Sequence, residues 1–376
     1  MTRTVRHLYV HLPFCAHRCG YCDFVTVVGR RGQHAAYVDA VLAELVLERH
    51  QLAPSLDTIF LGGGTPTFTE PVELERLLDA LPAAEEVTVE ANPETVTPDV
   101  ARLLRRCGVN RVSLGAQSFR PELLRVLDRV AGPDDVRRAF YHLRDAGFDN
   151  ISLDLIYGIP GQEPAHLEAD IEAVLGLDPE HLSCYELEAK PGTRFTHAHG
   201  VELARQAEAM EGYLERVVDA LVAAGYRWYE TSNFCRRPND VDGRDLRSRH
   251  NLAYWRGRDY LGLGIAAVST VGSTRWRNAP KLPAHLRALR DRRPPPRELE
   301  RLSRETKRDE RLLLGLRLDE PLPLAPVAAA VDGRALDRLE QLGLARRAPS
   351  SATGGTVTLT RRGRLLGGAV TADLLA

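Results

Sequence analysis

Six times over the first two thirds of the chain, a short apolar run rich in β-formers is followed by a longer amphipathic stretch, and few folds accept that pattern. The period predicts strands near His7–Leu12, Asp57–Leu61, Glu86–Glu90, Arg111–Gly115, Ile151–Ile156 and Leu182–Leu187. Between them it predicts helices near His34–Arg49, Pro71–Ala80, Pro98–Cys107, Pro121–Leu127, Pro133–Ala146 and Ala165–Leu175, with another over Glu202–Ala224. Several of these begin at or beside proline, which suits the first helical turn because no N–H is needed there. Alternation of this kind predicts a parallel sheet with right-handed crossovers. Six units fall short of an eight-stranded barrel, so the expected α/β fold is a partial (β/α)6 TIM-like barrel, with a doubly wound sheet as the alternative.

Further on, Arg287–Arg297 carries a triple proline among arginines and predicts an extended, solvated linker. Two amphipathic helices, Glu305–Leu316 and Arg334–Leu342, and a short strand at Thr356–Leu359 then suggest a small winged-helix-like domain. The expected division is a core barrel over 1–235, an extension and linker over 236–297 and the C-terminal domain over 298–376. With a formal net charge of −1, no overall field favours nucleic acid or an anionic membrane. Neither a signal-like h-region nor a run of about 18 apolar residues is present, so a cytoplasmic protein with no integral membrane segment is expected.

Three of the six cysteines, Cys15, Cys19 and Cys22, stand close together in Tyr9-Val-His-Leu-Pro-Phe-Cys-Ala-His-Arg-Cys-Gly-Tyr-Cys-Asp-Phe, a C-x3-C-x2-C spacing just after the first predicted strand. Thiolates are soft ligands that select iron–sulfur clusters or zinc. Zinc asks for a fourth ligand, for which His17 is the local candidate. Three thiolates on a four-iron cluster instead leave one iron open to a substrate or cofactor. Cys107, Cys184 and Cys235 are scattered and read as small core side chains.

Other polar motifs fall where predicted strands end, the usual place for ligand sites in such folds. Gly62-Gly63-Gly64-Thr65-Pro66 follows the second strand, as a close-approach turn or as a plain turn. Glu90 lies in Val-Glu-Ala-Asn-Pro, Gln117 in Gly-Ala-Gln-Ser-Phe with Arg129 beyond it, and Asp154 among apolar residues in Ser-Leu-Asp-Leu-Ile-Tyr-Gly. One buried charge of this kind is commonly an ion pair, whereas several at successive strand ends point to one polar site.

The cysteine motif resembles that of the radical-SAM superfamily. The whole series resembles its coproporphyrinogen III oxidase-like family over nearly the full chain. That resemblance implies a [4Fe–4S] cluster on Cys15, Cys19 and Cys22, with S-adenosyl-L-methionine (SAM) chelating the open iron. It implies a SAM site lined by Gly63, Gly64, Thr65, Glu90, Gln117, Arg129 and Asp154. Tyr9 and Tyr21 match aromatic positions near the cluster, or serve as core.

Within the family, oxidases carry a fourth cysteine two residues after the third, where this chain has Phe24. That difference, and His250-Asn-Leu-Ala-Tyr-Trp255, resemble the heme-chaperone branch, implying His250 as a heme ligand and heme or porphyrin as cargo for an acceptor protein. An aromatic packing corner is the other reading of that motif. The stretch Gly262-Leu-Gly-Ile-Ala-Ala-Val268-Ser departs from the chaperone pattern, with Val268 in place of its histidine. The expected function is therefore a heme chaperone. An oxygen-independent coproporphyrinogen III oxidase and a radical-SAM methyltransferase are the alternatives. Whether the chain is an enzyme, its catalytic residues, its heme acceptor and its electron donor are not fixed by the sequence.

Overall fold

The computed structural model describes residues 4–190, 194–207, 209–238, 243–349 and 354–376. Contacts group the chain into two compact units, Met1–Met210 with Asp259–Glu300, and Glu211–Arg258 with Arg301–Ala376.

In the first unit six strands lie side by side in chain order. They are β1 His7–Leu12, β2 Leu56–Gly63, β3 Ala84–Ala91, β4 Arg111–Gln117, β5 Ile151–Tyr157 and β6 His181–Glu186. Every neighbouring pair is parallel. The crossovers carry helices α1 His34–Glu48, α2 Pro71–Ala80, α3 Pro98–Arg106, α4 Pro121–Val126, α5 Pro133–Asp145 and α6 Pro164–Leu175. The expected α/β alternation is thus present, with element ends moved by a residue or two. Five of the six helices start on proline, and Thr97 also caps α3 by accepting from Val100 N at 3.2 Å. Crossover helices cover a parallel sheet on both faces, and in β4 every residue before Gln117 is buried, Arg111 and Ser113 included.

A seventh parallel strand, β7 Leu261–Leu263, pairs with the free edge of β1. Three residues are too few to show a period, which is why the sequence pattern missed it. The expected linker also differs. The chain forms a helix over Leu282–Arg290, and Arg297 opens the strand Arg297–Arg301 of a three-stranded sheet with Val268–Val271 and Thr274–Asn278. Arg297 is not solvated: its Nη2 lies 2.6 Å from Glu48 Oε1. The single helix expected over 202–224 is two helices, Arg194–Ala207 and Met210–Ala223.

In the second unit an antiparallel hairpin joins Tyr226–Glu230 to Asn233–Arg236. Helices Arg304–Gly315 and Gly333–Gln341 are followed by the antiparallel strands Ala345–Ala348 and Thr356–Leu359, with Leu322–Pro323 as the third strand of that sheet. Leu312, Leu316, Val327, Leu336, Leu339 and Val357 form its apolar core. Helix, helix and strand ribbon is the winged-helix-like order expected. No helix among the described residues is long and apolar enough to cross a membrane.

Candidate functional site: a thiol loop at the strand ends

The cysteine loop leaves the C-terminal end of β1 and is closed at its base. Phe14–Cys15 pairs in parallel with Val27–Val28, and Val27 N and Gly29 N donate to Pro13 O and Cys15 O, each at 2.8 Å. Within the loop Cys22 N donates to Cys19 O at 3.2 Å, and Arg18 Nη2 to Cys22 O at 3.0 Å. Gly20 N donates to Leu127 O at 3.1 Å, and a Cβ on Gly20 would come within 2.8 Å of Asp128 Oδ2. These bonds set the shape of the loop.

Two of the three sulfurs receive donors from elsewhere in the fold. Thr65 Oγ1 is 3.5 Å from Cys15 Sγ, and Arg129 Nη1 is 3.6 Å from Cys19 Sγ. Burial pushes the Cys15 thiol up to about 11 and raises Cys22 as well. A metal that binds thiolates displaces the thiol protons on binding. Among the described residues no three His, Cys, Asp or Glu side chains converge as they would around a single ion. In a four-iron cluster each thiolate takes a different iron, so its ligands need not converge. His17, the local candidate for a fourth zinc ligand, is exposed. The donor set and the N–H and O–H groups aimed at sulfur fit a cluster, whose potential depends on such bonds.

Behind the loop, glycines allow β1, β2 and β3 to close up. A Cβ at Gly63, where φ is +110°, would come within 2.4 Å of the His11 ring. At Gly64 it would come within 2.6 Å of the Pro13 carbonyl, and at Gly62 within 2.7 Å of Glu90 Oε2. The amides of this turn are already engaged. Gly63 N donates to Glu90 Oε2 at 3.0 Å, Gly64 N to Leu12 O at 2.8 Å and Thr65 N to Phe14 O at 2.9 Å.

The other strand-end residues meet here. Arg129 Nη2 donates to Gly115 O at 2.7 Å and Nη1 to Asn92 Oδ1 at 3.0 Å, while Asn92 Nδ2 donates to Thr65 Oγ1 at 3.0 Å. A continuous chain, Cys19–Arg129–Asn92–Thr65–Cys15, results. Arg129 Nε is buried without a partner among the described residues, an orphan donor that a bound anionic group would satisfy. Gln117 sits past a bulge after Gly115 with φ 67°. Asp170 holds the next two residues, accepting from Ser118 Oγ at 2.7 Å and Phe119 N at 2.6 Å. Burial pushes Glu90 up to about 7, helped by the charge of Asp154, and pushes Asp154 up to about 6 although the Ser183 and Ser113 hydroxyls donate to it.

Tyr9 OH lies 3.0 Å from His11 Nδ1, and His11 Nε2 lies 2.9 Å from Val25 O. Burial lowers His11 to about 4, so the ring is neutral. A carbonyl only accepts, so Nε2 donates to Val25 and Nδ1 accepts from Tyr9. Tyr21 packs against the apolar cluster of Leu123, Leu127 and Ile156. Asn92, His11 and Asp170 escaped the sequence reading. Asn92 lies two residues beyond Glu90 and His11 two beyond Tyr9, a spacing that could have found them; Asp170 lies mid-helix and gave no signal.

His250 belongs to the other unit, on the helix Arg249–Trp255 capped by Ser248. Its side chain is buried, with Nε2 2.9 Å from Tyr254 OH and the two rings nearly perpendicular at 4.9 Å. Val268 opens the strand Val268–Val271 and is half-buried.

A parallel α/β unit with three thiols on the loop after its first strand defines the radical-SAM class. Residues 9–174 match the family described as Radical SAM superfamily. The chain is 34% identical to the heme chaperone HemW of Bacillus subtilis (strain 168) over 97% of this chain and 98% of that one. It is 37% identical to the heme chaperone HemW of Mycobacterium tuberculosis (strain ATCC 25618 / H37Rv) over 98% and 94%. The chain belongs to the family of these HemW proteins. Its fold is also that of coproporphyrinogen III oxidase (HemN) from Escherichia coli, described as a radical SAM enzyme, with a TM-score of 0.78 over 99% of this chain and 90% of that one at 24% identity.

Proposed function

We propose that this protein is a heme chaperone that holds a [4Fe–4S] cluster and SAM in the first unit and heme through His250 in the second, for delivery to an acceptor protein. The observation that carries this reading is near-full-length similarity to proteins named heme chaperone, in a chain with Phe24 where the related oxidases have a fourth cysteine. Phe24 is 61% exposed, so that position carries neither a ligand nor a core side chain.

Cys15, Cys19 and Cys22 would hold the cluster, with Thr65 and Arg129 stabilising the thiolates. Arg129 would pair with the SAM carboxylate. Because the amides of Gly63, Gly64 and Thr65 are engaged within the chain, this turn would meet an ammonium group through carbonyl oxygens. Asp154 would accept from ribose hydroxyls, and Glu90 and Gln117 would line the same site, with Tyr9 and Tyr21 bracing the loop. Bound together, cluster and SAM supply reductive cleavage chemistry that belongs to the cofactors. For His250 Nε2 to reach an iron, its bond to Tyr254 has to open. The helix Arg249–Trp255 would then present imidazole and aromatic rings together.

The second reading is an oxygen-independent coproporphyrinogen III oxidase, favoured by Val268, which can neither donate a hydrogen bond nor bind metal. One experiment separates the two. The protein is reconstituted anaerobically with iron and sulfide, then titrated with heme as wild type and as His250→Ala, followed by absorbance. Saturable heme binding that weakens in His250→Ala, without turnover of coproporphyrinogen when SAM and reductant are added, supports the chaperone. No heme binding together with SAM-dependent porphyrinogen turnover makes the protein an oxidase.

A further inference from the structure

Gln117 ends β4 with φ at 67°, in the left-handed region that a residue bearing a Cβ adopts only where its surroundings impose it. The consequence is visible at Gly115. A Cβ there would come within 2.7 Å of Gln117 Nε2, 3.5 Å of Asn92 Oδ1 and 3.6 Å of Arg129 Nη2. Three polar side chains thus gather over one glycine, from the end of β4, the loop after β3 and the loop after α4. Gln117 is half-buried, so part of its surface stays open to a ligand. With an ordinary negative φ its Cβ would point elsewhere and the amide would leave this group.

The groups that hold this turn begin one residue further on, and they converge on α6. Asp170, fully buried in mid-helix, accepts from Phe119 N at 2.6 Å on one oxygen and from Ser118 Oγ at 2.7 Å on the other. Ser118 Oγ in turn accepts from Arg120 N at 3.0 Å, and Ser118 N donates to Ala116 O at 2.9 Å. Residues 118 to 120 are therefore anchored, directly or through the serine, to one carboxylate. A buried carboxylate is costly unless its oxygens find donors. Here the donors are those of the turn that keeps Gln117 left-handed.

We propose that Asp170 is a positioning residue for the SAM site: by anchoring the turn after β4 it holds the Gln117 amide beside Asn92 and Arg129, ready to line the ligand. This rests on the reading of Gln117 as a SAM-lining residue. Asp170 lies under the turn, without exposed surface, and acts only through Gln117. The gain is pre-organisation, because a side chain already held in its bound place loses less freedom when the ligand arrives.

The test is calorimetric titration of the full-length, cluster-reconstituted protein with SAM, arranged as a double-mutant cycle between Asp170→Asn and Gln117→Gly. Glycine removes the amide yet takes the left-handed turn without strain. Asp170→Asn alone weakens SAM binding about tenfold, a loss of about 1.4 kcal/mol, and Ser118→Ala weakens it severalfold. In the Gln117→Gly background Asp170→Asn brings no further loss, because the side chain it positions is gone. A loss of the same size in that background would mean that Asp170 braces the fold at large, and would overturn the proposal. So would wild-type affinity in both Asp170→Asn and Ser118→Ala. Thermal unfolding accompanies each titration; if Asp170→Asn unfolds early, the cycle is run with Ser118→Ala instead. A wild type that assembles its cluster and still binds no SAM overturns the SAM reading itself, and the positioning role with it.

Discussion

Two glutamates in the first unit, Glu44 and Glu90, are both pushed up to about 7 by burial, yet they sit in opposite circumstances. Glu44, in the middle of α1, has both oxygens satisfied: Gly264 N donates at 2.8 Å, Asn278 Nδ2 at 2.7 Å, and Arg297 Nη2 stands 3.5 Å away. It ties α1 to the segment after β7 and to the strand at Arg297. Glu90, at the end of β3, has Gly63 N as its one hydrogen-bond donor among the described residues, faces the charge of Asp154, and is only half-buried. A perturbed acid is therefore not in itself a site. What marks the strand ends is charge that the fold leaves incompletely paired, which is what a ligand requires and a structural staple avoids.

The largest expected effect sharpens the contrast by taking away ligands that no other group can replace. Replacing Cys15, Cys19 or Cys22 singly by alanine should abolish cluster assembly, seen as loss of bound iron and of the charge-transfer absorbance after reconstitution. Full iron loading in any of the three would break the cluster assignment. Next, Glu44→Ala should destabilise the protein by about 2–4 kcal/mol in denaturant unfolding, because Asn278 and Gly264 N lose a buried acceptor while Arg297 keeps Glu48. Glu90→Gln should cost the ligand-free protein nothing, or stabilise it by about 1 kcal/mol, while weakening SAM binding about tenfold by calorimetry. Equal destabilisation by the two substitutions would erase the distinction.

A smaller effect is the pH dependence of the ligand-free protein. Glu90 and Asp154 titrate higher folded than unfolded, so the native state holds extra protons between about pH 4 and pH 7. Their contribution to stability is present below the unfolded values and is lost as pH rises through about 6 to 7. The double substitution Glu90→Gln, Asp154→Asn should flatten that part of the stability–pH curve, leaving the shares due to Glu44 and Asp170; an unchanged slope would place the two carboxyls in ordinary solvent. The smallest effect concerns His250. Opening its bond to Tyr254 costs about 1 kcal/mol, so Tyr254→Phe should tighten heme binding about two- to fivefold. Weaker binding would mean that the tyrosine itself contacts the heme.

Much of this was legible in the chain. The alternation of β1–β6 with α1–α6 follows from local apolar periods, and the three cysteines occupy one loop, so their juxtaposition is a property of sequence spacing. Glu90 and Gln117 could be chosen because strand ends in parallel α/β folds converge on one side, and Asp154, in the middle of β5, because it is a charge within an apolar run. Three kinds of feature were not legible. The strand Leu261–Leu263 is too short to carry a period and forms only against the edge of β1. Arg297, in a proline-rich stretch that reads as linker, is drawn into an ion pair with Glu48. The bridge from Thr65 through Asn92 to Arg129 depends on side chains from distant segments. Sequence determined the elements and the thiol loop, because helix, strand and local ligand spacing are short-range properties. Tertiary structure alone decided which buried charges are matched and which are left for a ligand, because pairing is settled by which groups lie within hydrogen-bond reach once the chain has folded.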